Sequence, residues 1–122
     1  MTSYVPARAS AWFEIPVRDL DRARAFYGAV LQTEIPVIEG DPNPIAIFPS
    51  EDEKLAGHLY PGKPAGDGTG PTVHLFVAAP LESAMERVKE NGGQVVSPIL
   101  AVPSGSFVYC IDPDGNSFGL FV

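Results

Sequence analysis

The sequence predicts an α+β protein built from two tandem βαβββ modules. Two observations lead to this prediction. A strand runs into an amphipathic helix that is followed by three short apolar segments, and the same order recurs about sixty residues later. A segment rich in Gly and Pro, residues 61–70, separates the predicted pseudo-repeats 11–60 and 71–122. The 122 residues are the length of a single domain, and we expect residues 1–122 to form one.

The first module begins with residues 12–17, which are apolar enough for a strand covered on both sides. Residues 1–10, before it, are expected to form a loose arm. Asp19 occupies the N-cap position of the next helix, where a carboxylate accepts hydrogen bonds from free backbone amides. Beyond Asp19, apolar side chains recur at helical spacing as far as Leu31 and predict one buried stripe. Three strands are then predicted at about residues 33–38, 45–48 and 55–60.

The second module repeats this order. Residues 72–77 predict a strand, and Pro80 is placed in the first turn of a helix that Asn91-Gly92-Gly93 ends with a left-handed cap. The expected core face of this helix consists of Leu81, Ala84, Met85 and Val88. Further strands are predicted at about residues 94–99, 107–111 and 117–122, with a turn over residues 112–116.

The composition disfavours several classes of partner. Fifteen acidic and eight basic residues give a net charge of −7, whereas nucleic acids and anionic membranes bind basic surfaces. The single cysteine, Cys110, cannot form an intrachain disulfide and is expected to be a buried apolar side chain. The chain has no apolar leader and no apolar run long enough to span a membrane. We therefore expect a cytoplasmic protein that binds neither nucleic acid nor membrane.

Residues 13–27, 91–93 and 112–116 resemble the corresponding segments of the vicinal oxygen chelate superfamily. That group includes glyoxalase I, extradiol dioxygenases, fosfomycin-resistance transferases and bleomycin-resistance binding proteins. The resemblance extends over about residues 11–122. It implies two βαβββ modules whose sheets curl into an incomplete barrel around a cleft, and it implies a homodimer.

The resemblance also implies positions for a divalent metal, and these positions hold other residues here. Trp12 stands where the first His is expected, and Thr72 or Val73 stands at its counterpart in the second module. Gly119 stands where the family usually has a Glu. Such side chains do not bind a divalent cation in the usual way, so we predict no metal and no other cofactor. The remaining ligand position falls near Gly57 or His58.

The strand period predicts which side chains line the cleft, because alternate residues point to opposite faces. If Trp12 faces the cleft, Glu14 and Pro16 do so too, and Phe13, Ile15 and Val17 pack against the helices. The predicted cleft-lining residues are Trp12, Glu14, His58, Tyr60, Thr72, His74, Phe76, Ser117, Gly119 and Phe121. An aromatic wall is expected from Trp12, Phe76, Tyr109 and Phe121, and Gly119 is expected to leave space for a larger organic ligand.

Glu14 and His74 occupy equivalent positions in the two modules. A carboxylate and an imidazole on one wall can form an acid–base pair or anchor a polar ligand. They can equally bond each other or water, or line a seam between two subunits. These alternatives stay open on the sequence alone, and no catalytic residue is assigned.

The sequence and the resemblance together predict a metal-independent protein that binds a small organic ligand in the cleft between its modules. One alternative is a metal-dependent lyase, isomerase or dioxygenase, similar to lactoylglutathione lyase, with the metal held by His58, His74 and Glu14. A second alternative is a drug-sequestering antibiotic-resistance protein. A third is an interaction module without a ligand.

Overall fold

The computed structural model of the chain describes residues 3–52, 54 and 56–122. It confirms the predicted α+β fold: two helices cover two mixed sheets, and the sheets do not close into a barrel. No helix in the described part of the chain has the length and apolar character needed to cross a membrane.

The first sheet and its helix follow the predicted order. The elements are β1 (Phe13–Val17), α1 (Leu20–Leu31), β2 (Val37–Ile38), β3 (Ile45–Ile47) and β4 (Gly57–Pro61). The strands lie in the order β1-β4-β3-β2, and β1 pairs with β4 in parallel. The strand predicted at 33–38 is shorter, because only two of its residues pair with β3. Met1, Thr2 and Leu55, which fall in the predicted arm and in the strand predicted at 55–60, lie outside the described residues.

The second sheet contains one strand more than predicted. Its elements are β5 (Val73–Phe76), α2 (Leu81–Glu90), β6 (Gln94–Val95), β7 (Leu100–Val102), β8 (Gly105–Ile111) and β9 (Ser117–Phe121). The strands lie in the order β5-β9-β8-β6, and β7 pairs with β8 as an additional hairpin arm. The prediction of three strands after α2 was therefore wrong. It was wrong because β7 is only three residues long and lacks the alternation that identifies a strand.

The predicted helix ends are largely confirmed. The Asp19 carboxylate accepts a hydrogen bond from the Arg22 amide at 3.1 Å, as an N-cap residue should. At the end of α2, Gly92 has a φ of 93°, in the left-handed region that favours glycine. Pro80 is the N-cap residue of α2 rather than a residue of its first turn, and it supplies no side-chain bond.

One apolar core lies between the helices and both sheets. The predicted alternation is confirmed on β1, where Ile15 and Val17 are buried, and on β5, where Leu75 is buried. Phe118 of β9 packs edge-on against Phe26 and Tyr27 of α1, at ring-centroid distances of 5.8 and 5.3 Å. Because α1 follows β1 and Phe118 belongs to the second sheet, the two sheets share this core.

A buried polar network also joins the two halves. The Tyr27 hydroxyl donates to Asp112 Oδ2 at 2.6 Å, and burial together with this carboxylate holds the pKa of Tyr27 well above its usual value. The Asn116 side-chain amide donates to the same Asp112 oxygen at 3.0 Å and to the Pro16 carbonyl at 2.8 Å. The turn over residues 112–116 is thereby fixed against β1 and α1.

Candidate functional site

The sheet surface that faces away from the helices carries most of the residues predicted to line a cleft. We call this surface the open face; it comprises Trp12, just before β1, and Glu14, His58, Tyr60, His74, Phe76, Phe107, Tyr109, Ser117, Gly119 and Phe121. Strand alternation places these side chains opposite the core residues of the same strands. Two members are large and exposed, with Phe76 at 82% and Trp12 at 52% of their full exposure.

A groove made of two separate hollows borders β1 and β5, the edge strands of the two sheets. A hollow of about 640 Å³ is lined by His74 and Phe76 of β5 together with Phe13, Leu31 and Phe48, which belong to the core side of the first sheet and its helix. A smaller crevice of about 180 Å³ is lined by Glu14 of β1, Val73 of β5 and residues of the 61–71 segment. Both hollows are lined partly by β1 and partly by β5, so the groove lies between the two halves of the chain, and a ligand cleft there stays a prediction.

Glu14 contacts His58 and not His74, so the alternative in which Glu14 and His74 bond each other is not the one that the structure shows. Glu14 and His58 are direct neighbours on the parallel strands β1 and β4, and His58 Nε2 lies 3.3 Å from Glu14 Oε2. The His58 side chain is only 12% exposed and Glu14 is 54% exposed. His58 Nδ1 is buried and has no hydrogen-bond partner among the described residues. The pair therefore presents a half-exposed carboxylate next to a largely buried imidazole.

His74 lies over Gly119, its direct neighbour on β9. An ideal Cβ on Gly119 would stand 2.2 Å from His74 Nδ1, which is far inside contact distance. The expectation that Gly119 leaves space for a ligand was therefore wrong, because the imidazole already fills that space. The ring also packs edge-on against Phe107 and Tyr109, at centroid distances of 5.3 and 5.6 Å.

Aromatic side chains of β5, β8 and β9 pack against one another on the open face. Phe76 and Phe121 pack edge-on at 5.5 Å, and Phe107 and Tyr109 do so at 5.3 Å. Phe107 was not among the predicted site residues. The alternation of β8 identifies it, because Val108 and Cys110 are buried in the core and residues 107 and 109 must point the other way.

The hydroxyl groups of Thr72 and Ser117 form a hydrogen bond with each other. Their hydroxyl oxygens lie 2.6 Å apart in a partly buried bond, which uses their polar groups within the protein. Tyr60 lies two residues beyond His58 on β4, and its ring centroid is 6.4 Å from that of His58. Tyr60 therefore extends the open face beside the Glu14–His58 pair.

The donor set of the site does not fit the divalent metal that the family resemblance implies. Within the described residues, no three His, Cys, Asp or Glu side chains lie close enough together to hold a metal ion. Glu14 and His58 supply only two such groups, and His74 packs among aromatic rings on the other sheet. Residues at the family's ligand positions, such as Gly119, add no donor.

Cys110 has no part in the site. Its side chain is buried in the core, and burial raises the pKa of the thiol to about 12. A thiol of this kind stays protonated at neutral pH, as expected for a buried apolar side chain.

The chain matches the family model described as Glyoxalase/Bleomycin resistance protein/Dioxygenase superfamily over residues 9–120. A search of curated proteins gave no match. Among solved structures, a hypothetical protein from S. aureus is similar, with a TM-score of 0.67, 20% identity and coverage of 96% of this chain and 95% of that chain.

Two further structures show the same likeness. A glyoxalase/bleomycin resistance protein from Albidiferax ferrireducens has a TM-score of 0.65 and 23% identity, covering 93% of this chain and 98% of that one. The fosfomycin resistance protein FosX from Listeria monocytogenes has a TM-score of 0.65 and 17% identity, covering 99% and 93%. At these identities the structural likeness establishes the fold alone.

Proposed function

Because the chain belongs to the glyoxalase/bleomycin resistance protein/dioxygenase superfamily, we propose that it is a metal-independent protein that binds a small organic ligand on its open face. One observation carries this proposal: large aromatic side chains, including Phe76 at 82% exposure, surround a few polar groups. Exposed apolar patches with convergent polar groups are the usual form of a ligand site. Two open-face residues, His74 and Phe76, also contribute to the lining of a hollow of about 640 Å³, which is a usual size for a ligand site.

The donor set supports the metal-independent part of this proposal. A catalytic metal centre in proteins usually needs at least three side-chain ligands. The Glu14–His58 pair offers two, and the neighbouring position on the other sheet is occupied by the His74 ring over Gly119. Drug sequestration is one version of such a binding function, and it is suggested by the bleomycin resistance proteins that the matched family includes.

A homodimer in the cytoplasm is part of the same proposal. Further exposed apolar side chains, such as Ile38 at 51% and Val96 at 50%, lie away from the groove and offer surface for a second copy. Sedimentation equilibrium is the measurement, with a mass of twice that of the chain expected. A monomer at all concentrations up to the millimolar range would remove the dimer from the proposal.

A ligand screen tests the binding function. We expect aromatic compounds from a thermal-shift library to raise the Tm of the wild-type protein. The substitution Phe76→Ala should abolish the effect, because it removes the most exposed ring of the site. Ile38→Ala is the matched control, since it removes an exposed apolar side chain from β2 at the far edge of the sheet. Hits that survive in Phe76→Ala would place the ligand elsewhere, and a screen without hits would contradict the binding function.

Metal analysis tests the main alternative, a metal-dependent lyase, isomerase or dioxygenase. The protein is purified without an affinity tag and analysed by plasma mass spectrometry for zinc, nickel, manganese and iron. We expect well below one metal per chain. A stoichiometric metal that is lost in His58→Ala but retained in a surface control such as Glu39→Gln would establish the alternative instead.

A further inference from the structure

The outer edge of the second sheet carries no charged side chain. This edge is made of β6 and β7, which both pair with β8 on the side opposite to β9. Residues 91–111, which include all three of these strands, contain no Asp, Glu, Lys, Arg or His, although the chain as a whole has a net charge of −7. Natural proteins often protect an exposed strand edge with charges, because its free amides and carbonyls pair readily with another strand. The edge formed by β6 and β7 lacks such charges.

The same edge is apolar and exposed. Val96, Ile99 and Val102 are 50%, 40% and 40% exposed, and Ala101 is exposed as well. The hydroxyl of Ser97, between the two strands, accepts a hydrogen bond from a β8 amide at 2.9 Å and so uses its polar group within the chain. The surface of this edge therefore consists mainly of apolar side chains and backbone.

Ala101 of β7 turns its backbone N–H and C=O away from β8. In an antiparallel ladder, a residue directs both of its backbone polar groups to the strand on one side. Ser106 lies opposite Ala101 on β8 and exchanges both of its bonds with Val122, at 3.2 and 3.0 Å, so it makes none to β7. The N–H and C=O of Ala101 therefore point outwards and are available to another strand.

The other sheet edges are less suited to pairing with a further strand. On β1, Pro16 has no N–H, and its carbonyl already accepts from the Asn116 amide at 2.8 Å. β2 is two residues long and is followed directly by the acidic Glu39. β5 borders the groove between the two halves of the chain. Among the described strands, β6 and β7 therefore form the edge that is both free and uncharged.

We propose that this edge binds a second copy of the chain, with the β7 strands of the two copies paired antiparallel about a two-fold axis at Ala101. The inference rests on the homodimer of the proposed function and names its surface. Two copies of a chain with a charge of −7 repel each other, and the repulsion is weakest where the contacting surfaces carry no charge. A two-fold axis places the same residue of both copies face to face, so the outward N–H and C=O of Ala101 bond to their equivalents. The two second sheets then form one continuous sheet.

The side chains beside Ala101 complement each other in this arrangement. Antiparallel pairing places Val102 of one copy beside Leu100 of the other, on the face of the sheet that Leu100 shares with Phe107. Apolar side chains opposite each other on neighbouring strands stabilise a sheet. Pro103 lies opposite Ile99 and has no N–H, so the ladder ends there. Because the contact is short, we expect a reversible dimer and not an obligate one.

Charged substitutions at position 101 test this surface by sedimentation velocity over a concentration series. We expect the wild type to be a reversible dimer. Ala101→Glu and Ala101→Lys should each raise the dimer dissociation constant at least about tenfold, because two like charges then face each other across the axis. An equimolar mixture of the two variants should dimerise again, since a glutamate then faces a lysine. Ile38→Glu, which adds a charge at an exposed apolar position on β2, is the control and should dimerise like the wild type.

Amide hydrogen exchange adds a readout of the strand pairing itself. The amide of Ala101 should be protected in the wild-type dimer, and the amide of residue 101 should exchange rapidly in both variants. Their urea midpoints should match that of the wild type, because position 101 is exposed. Single variants that dimerise as tightly as the wild type would place the dimer contact elsewhere and leave the proposed homodimer standing. A mixture that stays monomeric would overturn the antiparallel pairing, and a wild type that is monomeric up to the millimolar range would overturn both.

Discussion

His74 and Gly119 illustrate, at the scale of single residues, how one side chain determines what its neighbour can be. They face each other across β5 and β9, and the imidazole occupies the volume in which any Cβ at position 119 would lie. The small residue at 119 is therefore required by packing within the chain. Gly119, at the position where the family resemblance implies a metal ligand, lies under the His74 ring of the aromatic cluster.

Substitution at Gly119 should depend on His74. We expect Gly119→Ala to destabilise the wild-type protein by about 1–3 kcal/mol, as overpacking usually does. In a His74→Ala background the same substitution should destabilise the protein by at least about 1 kcal/mol less than in the wild type, because the ring that it collides with is gone. Urea unfolding of the four proteins in this cycle measures the coupling. An equal cost in both backgrounds would show that the imidazole does not occupy the space.

Cys110 should make the fold sensitive to alkali. The thiol of the unfolded chain loses its proton near pH 9, whereas burial raises the folded pKa to about 12. The contribution of the protonated, buried thiol to the free energy of unfolding is therefore complete below pH 9 and declines as the pH rises from 9 towards 12. The decline is about 1.4 kcal/mol per pH unit in the range where only the unfolded thiol ionises. Urea unfolding at several pH values measures this slope. Cys110→Ala should unfold with a shallower pH dependence above pH 9, and an identical slope would contradict the assignment.

The sequence predicted the faces of residues better than their partners. Alternation along β1 and β5 correctly separated Ile15 and Leu75, which are buried, from Glu14 and His74, which are not. The contact of Glu14 with His58 was not predicted, because β1 and β4 are parallel and far apart in sequence. Their register depends on the packing of the whole sheet, and no local pattern encodes it.

At the scale of elements, the ends of the helices are specified locally and the short strands are not. Asp19 caps α1 through a hydrogen bond to the amide of Arg22, three residues later, so its role could be predicted from the local sequence. β7 forms only because Leu100–Val102 finds β8 across a tight hairpin. Four apolar residues between Pro98 and Pro103 carry too little pattern to distinguish a strand from a loop, so this element was missed.

The capping bond of α1 predicts a pair of variants with different outcomes. Asp19→Ala should lower the free energy of unfolding by about 1 kcal/mol, because the Arg22 amide loses its acceptor. Asp19→Asn should keep most of that stability, since an asparagine oxygen accepts the same bond. Both are measured by urea denaturation. Equal losses in the two variants would mean that the carboxylate charge, and not the bond, supplies the stability.

At the scale of the whole molecule, the two halves are held together by a common core and one polar network. Phe118 packs on α1, and Asp112 accepts from Tyr27 while Asn116 reaches the Pro16 carbonyl. The order of the elements was predictable from two similar hydrophobic patterns. The junction was not predictable, because it depends on groups 85 to 100 residues apart, which come close together only in the folded chain.

This junction predicts a single unfolding transition. Trp12 fluorescence reports on the first sheet, and far-UV circular dichroism reports on both; the two should give the same midpoint in urea. Tyr27→Phe should lower both midpoints together, with a loss of about 2 kcal/mol from a buried bond to a charged group. Tyr4→Phe, at an exposed position in the N-terminal segment, is the control. Separate midpoints for the two probes would show that the halves unfold independently.

The imidazole over Gly119 also has a consequence for the protein's accessible evolution. A single base change converts two of the four glycine codons into a glutamate codon, so a family-like carboxylate at position 119 is one mutation away for a suitable codon. In that mutant the glutamate side chain would collide with the His74 ring before its carboxylate could bind a ligand. A carboxylate at position 119 therefore requires the His74 side chain to move or to be replaced. Positions 74 and 119 are therefore epistatic, because the effect of a substitution at 119 depends on the residue at 74.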